Sequence, residues 1–206
     1  MQKKTKGKLF IISAPSGAGK TTLCQELSRI TPNLKHSVSY TTRAARPGET
    51  NGVHYNFISE RQFKKMVERD EFAEWAVVHG NLYGTTIADL EKMRKDGCDV
   101  ILDIDTQGAA QIRRKFKDGI YIFILPPSMS VLEERLKNRM SDSDLEIKKR
   151  LERAKEEITR YPEYDFIVIN DEFDKALDKL KSIVITKRIE TENIDPAWIE
   201  ENFYRR

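Results

Sequence analysis

Leu9-Phe10-Ile11-Ile12-Ser13-Ala14-Pro15-Ser16-Gly17-Ala18-Gly19-Lys20-Thr21-Thr22 is the stretch on which the fold turns. An apolar run passes into a turn of small residues and then into a segment with helical spacing, the order of strand, loop and helix that suits a bound phosphate. Gly17 and Gly19 let the backbone curl so that successive N–H groups face inward, with Ser16, Ala18 and Thr22 completing the cradle. Lys20 adds a mobile positive charge for the β and γ phosphates of a nucleoside triphosphate, and Thr21 offers a hydroxyl to a Mg²⁺ held by the same phosphates. The usual pattern G-x-x-x-x-G-K-[ST] opens on glycine, where this chain has Ala14. A glycine-rich βα turn without a ligand is the simpler reading; the apolar strand before the loop and the helix after it favour the phosphate site.

The rest of the chain is sized for one core around this loop. Its 206 residues allow a single α/β core with an inserted subdomain. Lys plus Arg (36) nearly balances Asp plus Glu (33), a net charge of +3, so no global field draws the chain to nucleic acid or membrane. The basic start, 1–8, is followed by an apolar run that ends at Pro15, too short for a signal peptide or a membrane span, and a cytoplasmic location follows. Cys24 and Cys98 belong to no C-x-x-C pair and read as small buried hydrophobes; His36, His54 and His79 share no ligand spacing. Monomer and homo-oligomer stay open.

Along the chain, the periodicities predict helices over 21–30, 60–67, 87–95, 107–116 and 174–189, and strands over 9–12, 37–40, 55–58, 72–78, 82–85, 99–105, 120–125 and 166–169. Residues 99–105 read as a buried parallel strand with Asp103 and Asp105 on one face at its C-terminal end, the edge where open α/β sheets bind ligands. From 130 to 161 the chain is a charged helical region broken at Met140-Ser141-Asp142-Ser143, and 195–203 reads as a short amphipathic helix. Alternating strands and helices give a mostly parallel, helix-flanked sheet of the P-loop kinase class, with core 1–38, 87–129 and 156–206. The short strands and single helix of 39–86 form the insertion, and 130–155 a helical segment beside the site.

Residues 41–55 are turn-rich and polar, with Arg43 and Arg46 three apart and Tyr55 beyond them. Guanidinium forks and phenol hydroxyls, with Tyr83 further on, suit a second phosphate. The plainer reading is a solvated loop with surface charges.

Together these segments resemble a family. Ser39-Tyr40-Thr41-Thr42-Arg43-Ala44-Ala45-Arg46-Pro47-Gly48-Glu49, Asn51-Gly52-Val53-His54-Tyr55-Asn56-Phe57, Phe72-Ala73-Glu74-Trp75-Ala76, Gly80-Asn81-Leu82-Tyr83-Gly84-Thr85 and Ile101-Leu102-Asp103-Ile104-Asp105-Thr106-Gln107-Gly108 closely resemble guanylate kinase, in order and spacing. The likeness runs from the phosphate loop through Val168-Ile169-Asn170-Asp171. It implies ATP and GMP (or dGMP) as substrates, ADP and GDP (or dGDP) as products, Mg²⁺ as cofactor, 39–86 as the GMP-binding region and 130–155 as a mobile lid. By the same resemblance, Arg43, Arg46, Tyr55 and Tyr83 hold the GMP phosphate, while Ser39, Glu74, Thr85 and Asp105 read the guanine. Asp103 stands beside GMP and reaches Mg²⁺ through water. Arg135, Arg139 and Arg150 are lid arginines that act with Lys20 and Arg43 in catalysis, and Asn170 contacts the adenine of ATP. The chain departs from the family's common Arg-Gly at the lid, having Arg139-Met140.

Two other classes compete. A kinase-dead relative that binds peptides would typically lose the loop lysine, which is present here as Lys20; a small-molecule kinase of similar fold would lack the guanine-reading set. A GTPase is disfavoured because no Asn-Lys-x-Asp motif occurs.

Overall fold

The computed structural model describes residues 6–78, 80–138 and 143–204. Its main sheet has five parallel strands in the order β2-β7-β1-β8-β9: β1 (Leu9–Ser13), β2 (Leu34–His36), β7 (Asp99–Asp103), β8 (Gly119–Leu125) and β9 (Phe166–Ile169). Side chains alternate across a strand, so the unbroken apolar run of β1 serves two cores. Phe10 and Ile12 join Leu23 and Leu27 of α1 (Lys20–Ile30) and Leu180 and Val184 of α7 (Phe173–Arg188) on one face. Leu9 and Ile11 join Leu90 of α3 (Ile87–Lys95) and Ala109 and Ile112 of α4 (Thr106–Lys115) on the other. Each fully buried Leu, Ile or Phe contributes about 1.5–3 kcal/mol, and Leu9, Phe10, Ile11 and Ile12 of β1 are all fully buried.

A second sheet, ordered β4-β3-β6-β5, is built wholly from 40–86: β3 (Tyr40–Thr41), β4 (Asn56–Phe57), β5 (Phe72–Val78) and β6 (Asn81–Thr86). Its face is covered by α2 (Glu60–Glu68), whose Phe63 stacks on Phe72 at 4.3 Å between ring centroids. Ser59 starts α2 with a reciprocal capping box to Gln62. The remaining helices are α5 (Met129–Lys137), α6 (Asp144–Ile158) and α8 (Pro196–Ile199), which a π-turn (Glu200–Tyr204) extends. α5 and α6 share a small core of Leu132, Leu136, Ile147 and Ala154.

Two expectations are corrected. Residues 37–39 of the strand expected over 37–40 are the link between β2 and β3, which lie in different sheets, a change of sheet that alternation cannot signal. The strand expected over 99–105 ends at Asp103, because Asp105 leaves it to cap α4, accepting the Gly108 N–H at 2.8 Å. Asp103 and Asp105 therefore do not share a strand face. β9 joins the main sheet as expected, at one of its edges, with Val168 in the core and Ile167 and Ile169 exposed.

The register fixes what meets at the sheet edge. Ile12 pairs with Asp103, Ser13 with Phe123, and Leu125 with Ile169, so the phosphate loop, the Asp103 carboxylate and Asn170 leave the sheet together.

Candidate active site

The loop between β1 and α1 is shaped by two left-handed glycines, Gly17 (φ 94°) and Gly19 (φ 87°). Ala14 has no positive φ, so the residue that breaks the usual pattern needs no glycine. Gly19 carries a second constraint: a Cβ there would lie 2.5 Å from the Asn170 Nδ2. That amide nitrogen donates to the Ala18 carbonyl at 2.8 Å in a buried setting, and the Asn170 carbonyl accepts from Arg135 Nη2 at 3.0 Å. On the other side, Leu132 and Leu136 of α5 close over Gly17. The phosphate loop is thus braced from β9 and from α5.

A cavity of about 400 Å³ opens above the loop, lined by Ser16, Gly17, Gly19, Lys20, Thr21 and Thr22 on one side and by Arg150, Arg153 and Glu157 of α6 on the other. Lys20 donates to the Ile104 carbonyl at 2.9 Å and pairs with Asp103. The lysine charge is balanced by the carboxylate at the end of β7.

A second cavity, of about 330 Å³, adjoins the first, and Asp105 and Val78 stand in the walls of both. Ser39, Tyr55, Glu74, Tyr83 and Asp103 complete its polar lining. Glu74 is only 6% exposed. Burial strips its carboxylate of water and pushes its pKa up to about 7, a rise that hydrogen bonds from Thr85 oppose and the Asp105 charge adds to. The Thr85 hydroxyl also shares a 3.2 Å hydrogen bond with Ser39. Glu74 is packed closely from behind as well, since a Cβ on Gly108 would lie 3.1 Å from its Oε2.

Arg43 stands behind this lining, against Tyr55 and Tyr83. Its guanidinium makes a forked pair with Glu49, at 2.9 and 2.7 Å, and lies over the Tyr55 and Phe57 rings at 5.4 and 5.7 Å. Tyr83 hydrogen-bonds it as well, and Glu49 is held down to about 2, chiefly by Arg43. Arg46 is exposed, and its backbone N–H donates to Glu49 at 2.7 Å.

The structure therefore gathers Ser39, Tyr55, Glu74, Tyr83, Asp103 and Asp105 in the lining of one cavity, with Thr85 behind it against Glu74 and Arg43 behind it against Tyr55 and Tyr83, and the loop residues with Arg150 in the lining of the other. Ala18 is buried beneath the loop and Asn170 beside it, while the Arg46 side chain and Arg135 stand outside both linings. Arg139 and His79 lie outside the described residues. Arg153, Glu157 and Glu49 are site residues that carried no assignment from sequence. Arg150, Arg153 and Glu157 are spaced three and four apart, so they fall on one helix face, the signal that could have found them.

The chain is similar to known proteins along most of its length. The guanylate kinase family model matches residues 6–187. A guanylate kinase of Geobacter sulfurreducens is 53% identical over 197 residues, covering 96% of this chain and 97% of the relative. One from Carboxydothermus hydrogenoformans is 45% identical over 190 residues, covering 92% and 93%. The crystal structure of guanylate kinase from Anaplasma phagocytophilum superposes with a TM-score of 0.78 at 30% identity, covering all of both chains. A phosphate loop facing a pocket with a buried carboxylate, and matches that run nearly end to end, lead to one conclusion: the chain belongs to the guanylate kinase family.

Proposed function

We propose that the chain transfers the γ-phosphoryl group of ATP to GMP, and also to dGMP, giving ADP and GDP or dGDP. The observation that carries this reading is the pair of adjoining cavities with complementary equipment, the phosphate loop with Lys20 in one and the buried Glu74 in the other. Guanine presents N1–H and N2–H₂ as neighbouring donors, for which the two Glu74 oxygens are matched acceptors. Adenine would set its N1 lone pair against them. An unpaired buried acceptor costs roughly 1–3 kcal/mol, and more when charged, which is ample for base discrimination.

Ser39, Thr85 and Asp105 complete the base-reading set, and Asp103 lies below it. Arg43, Arg46, Tyr55 and Tyr83 hold the acceptor phosphate, for which Arg43 exchanges Glu49 for phosphate oxygens and Arg46 turns in from solvent. Lys20 likewise exchanges Asp103 for the β and γ phosphates. The GMP phosphate is already an anionic nucleophile, so no general base is needed, and the rate comes from alignment and charge cancellation. Arg135, Arg139 and Arg150 add positive charge from 130–155, which serves as a lid, and Asn170 supports the donor side. Thr21 and Asp103 are hard oxygen donors that fit Mg²⁺, Thr21 directly and Asp103 through water. When bound, the ion neutralises charge on the phosphates.

Cys24 and Cys98 are both free thiols, which suits a reducing compartment, and we place the enzyme in the cytoplasm. Among the described residues, no helix is long and apolar enough to cross a membrane.

The test is ADP release with ATP and Mg²⁺, presenting GMP, dGMP, AMP, CMP and UMP in turn. Turnover is expected with GMP and dGMP alone. Equal turnover with AMP would remove Glu74 from base reading, and silence of the folded protein with all five would overturn the activity.

A further inference from the structure

Arg153 stands where the two cavities meet. Its Nη2 lies 3.5 Å from Oδ2 of Asp105, the carboxylate common to both cavity walls. Its Nε donates to Glu157 Oε1 at 3.1 Å. Glu157 is only 8% exposed, its Oε2 is buried with no hydrogen-bond partner, and Arg153 is the only cation with which it pairs among the described residues. A carboxylate buried beside a cavity meant for a triphosphate is unfavourable by itself, both through lost hydration and through repulsion of the ligand. Its evident use is to orient the guanidinium that it contacts, fixing which edge Arg153 turns to Asp105.

The geometry points to Arg153 as the residue that couples the two nucleotide sites, a positioning residue that ties α6 to the base-reading carboxylate Asp105 and is itself oriented by Glu157. Asp105 is already fixed at one oxygen, since Oδ1 accepts the Gly108 N–H at the start of α4. Its second oxygen faces Arg153. A guanine in the neighbouring cavity holds this carboxylate still, which holds Arg153 and with it the α6 face that carries Arg150 over the phosphate loop. A triphosphate acts in reverse by attracting the α6 cations and securing Asp105. One ion pair that belongs to both walls gives each ligand a differential contact with the state the other prefers, which is what a coupling free energy requires. A side chain 60% exposed gains little from an ion pair of this length as stability, so its effect is expected in coupling rather than in folding.

This inference rests on the guanylate kinase reading, which wild-type turnover with GMP tests separately. The experiment is calorimetric titration of GMP into the protein, with and without β,γ-methylene-ATP and Mg²⁺, for the wild type, Arg153→Gln, Arg153→Lys and Glu157→Gln. The wild type is expected to bind GMP at least fivefold more tightly when the analogue is bound. Arg153→Gln should reduce that factor below twofold, with the melting temperature little changed. Arg153→Lys keeps the charge but not the fork, and is expected to recover less than half of the coupling. Glu157→Gln leaves Arg153 in place but loosely held, and should lower the factor partway. A coupling factor in Arg153→Gln equal to that of the wild type would overturn the proposal, as would a wild type that shows none, or weakening of both nucleotides with the factor preserved.

Discussion

Glu74 binds its function to its own instability. Its pKa is raised from 4.5 to about 7, so between those values the folded protein holds a proton that the unfolded chain has lost, and stability falls as pH rises through that window. Above pH 7 the ionised Glu74 destabilises the free protein by up to about 3 kcal/mol, from the linkage of 1.36 kcal/mol per pH unit. Glu74→Gln is accordingly expected to raise stability to urea at pH 8 while abolishing preference for GMP over AMP, a pair of outcomes readable in one preparation. Guanine needs the ionised form, so GMP affinity should fall as pH drops below 7, approaching tenfold per unit. Glu74→Gln serves as reference because the second phosphate ionisation near 6 affects both proteins. Asn170 gives a different separation. If its amide chiefly braces Ala18, then Asn170→Ala should lower kcat about tenfold, the equivalent of one lost hydrogen bond of about 1.4 kcal/mol, with the GMP KM within twofold. A loss of preference for ATP over GTP as donor, without loss of kcat, would assign it to the adenine instead. The loop residues and Glu74 were legible in the sequence because a motif or a family pattern marks each of them. Arg153 and Glu157 were not, since what gives them meaning is Asp105, far away in the chain and brought near only by folding.

Elements with a strong period or a cap were read from sequence to within a residue: β5, β9 and α3 have the expected bounds, and α2, capped by Ser59, starts at the expected residue 60. Failures fell where the chain changes direction for tertiary reasons, at 37–39 between the sheets and at 104–105, where a would-be strand residue becomes a helix cap. That last substitution of roles matters because it delivers α4 against the base site. Gly108, in the first turn of α4, lies so near Glu74 that a methyl group would displace the carboxylate or the helix by a few tenths of an ångström. Gly108→Ala is expected to raise the GMP KM about tenfold with the ATP KM within twofold. Shortening the opposing residue in Gly108→Ala/Glu74→Asp should recover part of the loss relative to Glu74→Asp alone, and steady-state kinetics of the three variants decide it.

The two sheets differ in how they are wired. The second is closed within 40–86, with β5 and β6 paired antiparallel from Phe72 to Val78, while β1 sits at the centre of the main sheet between β7 and β8. Leu9 finds its neighbours at Val100 and Gly119. Loop closure over such separations is slow, whereas hairpins form early. Pulsed hydrogen exchange during refolding should therefore protect β5 and β6 amides before those of β1, and simultaneous protection would contradict this order. On the ribosome the same wiring acquires a temporal meaning. The segment that binds the triphosphate emerges before either of its neighbours in the sheet, and it has no strand to join until β7, beyond residue 99, has followed it. A nascent chain stalled between β1 and β7 carries an exposed, strongly apolar strand and no phosphate grip, so ATP cannot stabilise it there. Nucleotide enters as a ligand that rewards only a chain whose main sheet has been made.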